Sequence, residues 1–152
     1  MKAQRRSLLK RLFAAVAGVA GLSTPTSAMA VSIPEKEVAG VVSQDDIPLY
    51  SGSTKLGNLV FVSGAGAHFE GDIRSHTDHV LKEIEKELIK AGSSMDKVLK
   101  VNVLLHDLKD YKTMNEVYKG RFGKNPPVRT TVAVHAGVPG NSWVEIDCVA
   151  YV

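Results

Sequence analysis

Leu56-Gly57-Asn58-Leu59-Val60-Phe61-Val62-Ser63-Gly64 is the stretch on which the architecture turns. Leu59 to Ser63 is a short, continuous, β-branched and aromatic run, which reads as a strand. Gly57-Asn58 ahead of it is a turn pair that supplies positive φ, so Tyr50 to Ser53 becomes the first arm of a hairpin. Gly64, Gly66 and Gly71 behind it mark a loop or a second turn. Asp72 then fits a helix N-cap. Ile73, Thr77, Val80, Leu81, Ile84 and Leu88 follow at helical spacing, and Gly92 suits the left-handed position past the helix end. The charged residues between them, Lys82 to Lys90, read as a solvated face.

The elements further along complete the pattern. Val98 to Leu105 is β-rich, and Lys109 to Phe122 fits a second helix with Tyr111, Met114, Val117, Tyr118 and Phe122 on a buried face. Gly123 and Pro126-Pro127 stop that helix. Arg129 to His135 and Trp143 to Val152 are two more strands, separated by Gly137-Val138-Pro139-Gly140-Asn141. The order predicts an α+β domain in two layers, one sheet with two helices on one face. Several strands are apolar on both faces, which predicts that other subunits cover the second face.

Toward the N-terminus the reading changes. Lys2, Arg5, Arg6, Lys10 and Arg11 precede an apolar run from Leu12 to Leu22 and a small-residue site, Ala28-Met29-Ala30. These are the three parts of an export signal, residues 1–30, with cleavage expected before Val31. Arg5-Arg6-Ser7-Leu8-Leu9-Lys10 resembles the twin-arginine pattern; an ordinary signal with two adjacent arginines and an uncleaved anchor are the alternatives. The apolar run is short for a membrane span, which takes about 20 residues. The expectation is a periplasmic or secreted protein with no stable membrane association once the signal is cleaved. Residues 31–46, with Pro34 and a Ser-Gln-Asp-Asp run, read as an arm, and residues 47–152 as the folded domain.

The formal charge of +3 is misleading. All five basic residues of the signal leave with it, so 14 basic residues face 16 acidic ones and the mature charge is near −2. A basic footprint for nucleic acid is absent. The single cysteine, Cys148, rules out an intramolecular disulfide and reads as a buried small hydrophobe. There is no phosphate loop, dinucleotide fingerprint or nucleophile elbow. His76 and His79 lack a metal-site context and read, with His68, His106 and His135, as surface histidines; no metal is expected.

What remains is charge inside apolar strands. Arg129 opens a strand after Pro126-Pro127-Val128, and Glu145 sits between Val144 and Ile146. A buried charge is costly unless it is paired or used. On spacing alone, a structural Arg129–Glu145 salt bridge is the simpler account and catalysis the sharper one.

Three motifs together resemble the RidA (YjgF) family: Tyr50-Ser51 with Leu56 to Gly64; Asn115-Glu116-Val117-Tyr118 followed by Phe122 and Pro126-Pro127-Val128-Arg129-Thr130-Thr131-Val132; and Val144 to Ala150. The resemblance spans nearly all of residues 50–152. It implies a chorismate-mutase-like fold and a homotrimer whose sheets line a central barrel, with clefts between subunits. It also implies hydrolysis of 2-imino or 2-enamino acids to 2-keto acids and ammonia, without a cofactor. By that resemblance Arg129 holds the substrate carboxylate and Glu145 positions or activates water. Ser63, Gly64 and the backbone at Thr131 contact substrate, and Tyr50 and Asn115 shape the cleft. The sequence departs from the family pattern in four places, one of them a short loop from Ala67 to Gly71. Thr131 stands where the more active members carry cysteine, Gly64-Ala65-Gly66-Ala67 replaces Gly-Gln-Ile-Pro, and Pro48-Leu49-Tyr50 replaces Gly-Pro-Tyr. A binding module of the same fold that captures a small carboxylate without turnover is the main alternative. A ribonuclease or translation inhibitor is the remaining one, opposed by the charge and by export.

Overall fold

The computed structural model describes residues 33–152; the expected export signal, residues 1–30, lies outside the described residues. The strands are β1 (Lys36–Gln44), β2 (Ile47–Leu56), β3 (Leu59–Gly66), β4 (Val98–Leu105), β5 (Val128–Ala133) and β6 (Val144–Tyr151). Helix α1 (Ile73–Lys90) links β3 to β4, and α2 (Tyr111–Tyr118) links β4 to β5. The strands form one sheet in the order β1-β2-β3-β6-β4-β5. All neighbours are antiparallel except β4 and β5. The last strand therefore fills the place between β3 and β4 that the α1 crossover leaves open.

Helix α1 follows its sequence signals residue by residue. Asp72 accepts a hydrogen bond from the Ser75 backbone N–H at 2.8 Å, and the Asp72 backbone N–H donates to Ser75 Oγ at 3.0 Å. This reciprocal pair closes a capping box. At the far end Gly92, at φ +81°, lets the Ser93 N–H reach Leu88 O and its own N–H reach Ile89 O. That pairing satisfies the last carbonyls. The apolar positions from Ile73 to Leu88 are buried, packed on Val60 and Val62 of β3, Val101 and Val103 of β4, and Ile146 and Cys148 of β6. Each fully buried Leu, Ile or Val here contributes about 1.5–3 kcal/mol.

Four expectations need correction. Residues 31–46 are not a plain arm, because β1 occupies Lys36–Gln44 and pairs along β2. Gly40 at φ +63° and a bulge between Val42 and Ser43 break the alternation that would have marked a strand. Asp45 and Asp46, both at positive φ, form its two-residue turn. Second, in the β2–β3 turn only Gly57 takes positive φ; Asn58 does not. Third, β3 runs on through Gly64 to Gly66 instead of ending in a loop, because a bulge absorbs Ser63 and Gly64. Fourth, the second helix is confined to Tyr111–Tyr118, with one 3-10 turn, Leu108–Asp110, ahead of it and Phe122 beyond it. Tyr111 is 42% exposed, not core.

Both helices lie on one face of the sheet, in the two layers expected. The other face carries exposed Leu59, Phe61, Val128, Val132 and Tyr151, with an Asn102–Asp147 hydrogen bond of 2.8 Å among them. Among the described residues no helix is long and apolar enough to cross a membrane.

Candidate functional site

The pleat decides where each charged residue goes. On β6, Val144 and Ile146 are buried against the helices, so Glu145 between them points to the open face of the sheet. On β5, Arg129 pairs with Val101 and Thr131 with Val103. Val101 and Val103 are core residues, so Arg129 and Thr131 share the helix-covered face. Arg129 and Glu145 therefore lie on opposite faces of the sheet, two strands apart. The intrachain salt bridge that their spacing allowed is not formed.

Around Glu145 the chain builds a cleft of about 350 Å³. Tyr50, Ser63, Gly64 and Glu145 line it together, joined by Gly66, His68 and Pro139. The β3 bulge between Val62 and Ala65 sets both Ser63 and Gly64 against β6 beside Glu145. Bulges of this kind re-aim a strand at a site. Gly64 is needed there by contact: a Cβ on it would overlap the Glu145 carboxylate. His68 is seated in the same way, because a Cβ on Gly140 would overlap its ring.

Around Arg129 the chain builds a second cluster. The Arg129 guanidinium carbon lies 4.6 Å from the centre of the Tyr118 ring and 5.7 Å from that of Tyr111. Its Nη2 donates to the Tyr111 hydroxyl at 3.3 Å. Among the described residues no carboxylate forms an ion pair with it. Asn115 falls on the same stripe of α2 as Tyr111 and Tyr118, four residues after one and three before the other. The Tyr118 hydroxyl and Thr131 Oγ1 are buried with no hydrogen-bond partner. Burial pushes the Tyr118 phenol up to about 12, against the opposing pull of the Arg129 charge.

The seven residues singled out from the sequence thus fall into two groups in one chain. Tyr50, Ser63, Gly64 and Glu145 come together; Arg129 and Thr131 share the helix-covered face elsewhere, and Asn115 lies on the α2 stripe whose tyrosines meet Arg129. Tyr111 and Tyr118 were placed in the core by their helical spacing and were missed as partners of Arg129. The available signal was that a tyrosine carries a polar handle which a core position cannot use. His68 was missed because it is isolated in sequence and gains its setting only from Gly140.

A wider cavity of about 520 Å³ runs beside His68, Phe69, His76 and Trp143. His76, expected at the surface, is 1% exposed. Its Nε2 donates to Phe69 O at 3.0 Å and its Nδ1 accepts from the Trp143 N–H at 3.1 Å. Both ring nitrogens are spent, and the imidazole is a neutral staple between loop and strand. Burial, reinforced by Asp147, pushes the Cys148 thiol up to about 12, so it stays protonated and packs as a hydrophobe. No group of three or more His, Cys, Asp or Glu among the described residues is arranged to hold a metal.

Comparison with known proteins agrees with this fold. Residues 43–152 match the family described as Endoribonuclease L-PSP. The chain is 35% identical to Reactive Intermediate Deaminase A, chloroplastic, of Arabidopsis thaliana, over 84% of this chain and 73% of that one. It is 32% identical to the human 2-iminobutanoate/2-iminopropanoate deaminase, over 66% of this chain and 78% of that one. Among solved structures, yeast Mmf1 superposes with a TM-score of 0.66 at 28% identity, covering 79% of this chain and 97% of that one. A member of the YjgF protein family from Neisseria meningitidis gives 0.69 at 26% identity, with 79% and 97% covered. The match covers most of the chain, from within β1 to the last residue, and on that basis the chain belongs to the RidA/YjgF (Endoribonuclease L-PSP) family.

Proposed function

We propose that this protein, after export, hydrolyses 2-imino and 2-enamino acids to 2-keto acids and ammonia, in clefts between the subunits of a homotrimer. One observation carries the reading: a guanidinium mounted on aromatic rings with no carboxylate partner among the described residues, and a carboxylate in a separate cleft on the opposite face of the same sheet. Neither half is a complete site. A neighbouring subunit that set its Arg129 cluster against this chain's Glu145 cleft would complete one, and the exposed apolar residues of the open face supply a surface for such packing. The names of the Arabidopsis and human relatives support the choice of reaction.

The chemistry asks for two groups. Arg129 receives the substrate carboxylate on its planar fork, which fixes the imine carbon. Glu145 accepts a proton from water as the water oxygen bonds to that carbon. The proton passes to nitrogen, the C–N bond breaks as the hydroxyl oxygen forms the carbonyl and gives its proton to Glu145, and ammonia leaves with the keto acid behind. A protonated imine is already electrophilic, so these steps call for no cofactor. Ser63, Gly64 and Tyr50 wall the cleft beside Glu145, and Asn115 and Thr131 belong to the carboxylate side. Thr131 occupies the place of a cysteine without a nucleophile being required.

The test is release of ammonia and keto acid from imines generated in place by an amino-acid oxidase. Acceleration over the uncatalysed rate is expected. Tight binding of 2-ketobutyrate without acceleration would instead make the protein a carboxylate-capturing module.

A further inference from the structure

We propose that Tyr111 is a substrate-binding residue, donating a hydrogen bond to the carboxylate that Arg129 receives. The inference rests on the reading of Arg129 given above and adds a residue to it. The Tyr111 oxygen accepts a hydrogen bond from Arg129 Nη2 at 3.3 Å. A phenol has one proton to donate. With its oxygen already facing a cation, that proton points away from the guanidinium's donors, and among the described residues it has no acceptor of its own. Any anion docked on the guanidinium fork lies next to it. Tyr111 is 42% exposed, so the hydroxyl is within reach of a ligand.

Tyr118 differs in kind. It is 9% exposed, with its ring 4.6 Å from the guanidinium carbon and its hydroxyl buried, out of a ligand's reach. It backs the fork and sets its plane, while Tyr111 flanks it from the open side. The planar fork and the added donor together give a small carboxylate two oxygens' worth of hydrogen bonds.

The experiment measures binding of 2-ketobutyrate and of its uncharged amide to the purified full chain, by calorimetry, for the wild type, Tyr111→Phe and Arg129→Lys. Phenylalanine keeps the ring and removes the donor at an exposed position, so folding and assembly should be unchanged. Tyr111→Phe is expected to weaken the keto acid about 20-fold, within the range for a hydrogen bond to a charged group, and to leave the amide unaffected. Wild-type affinity for the acid in Tyr111→Phe would overturn the proposal. Equal weakening of acid and amide would also overturn it, since that marks general damage to the cleft. Arg129→Lys separates the two levels. If it binds the acid as the wild type does, the carboxylate reading of Arg129 itself fails. If it loses the acid while Tyr111→Phe does not, only the role of Tyr111 fails.

Discussion

At Gly64 the missing side chain is the functional feature. The Glu145 carboxylate occupies the space a Cβ would take, against the bulged backbone of β3. Gly64 has an ordinary negative φ, so its conformation does not demand glycine. Gly64→Ala should therefore leave the fold nearly intact, push the carboxylate out of its seat and slow turnover by about 10²-fold or more, the scale of a misplaced general base. Turnover and melting temperature measured together check this; unchanged turnover would remove Glu145 from its assigned place. Arg129 and Glu145 were legible in the sequence because each is a charge in an apolar strand. That they do not pair was not legible. It depends on which face each strand turns to the helices, and strand parity is fixed only by the pairing register and its bulges.

Among the elements, the capped and periodic ones were legible to the residue. Helix α1 announces its cap, its stripe and its stop in local chemistry, and β4 is found at the bounds its composition gives, Val98–Leu105. Strand β1 was not legible, because Gly40 and a bulge disrupt its period and its turn is written Asp45-Asp46, without glycine. Both aspartates hold positive φ, at 50° and 63°. Asp46→Gly would relieve that cost and is expected to stabilise the protein by ~0.5 kcal/mol, read as a raised melting temperature. The staple at His76 should act in the opposite direction. His76→Ala empties a buried site and strands the Phe69 carbonyl and the Trp143 N–H, an expected loss of about 2–4 kcal/mol in denaturant unfolding. A loss under about 1 kcal/mol would mean that water replaces the ring.

Over the whole molecule, the two-layer plan follows from the element order, and the second sheet face is left with exposed Phe61, Val128 and Val132. The sequence already showed strands apolar on both faces; it could not show that the candidate site is divided between the faces. Under the proposed function, that division makes activity a property of the assembly and not of the chain. Mixing two inactive variants tests it most directly. Arg129→Lys and Glu145→Gln, each prepared alone, should assemble normally and have lost most activity, with Arg129→Lys costing about 2–4 kcal/mol in transition-state stabilisation. Unfolded and refolded together in equal amounts, they form trimers in which some clefts take an intact Arg129 from one subunit and an intact Glu145 from its neighbour. The account predicts recovery to roughly a quarter of wild-type activity, the share of such clefts under random assembly of a symmetric oligomer. Mixed trimers no more active than either parent would contradict it.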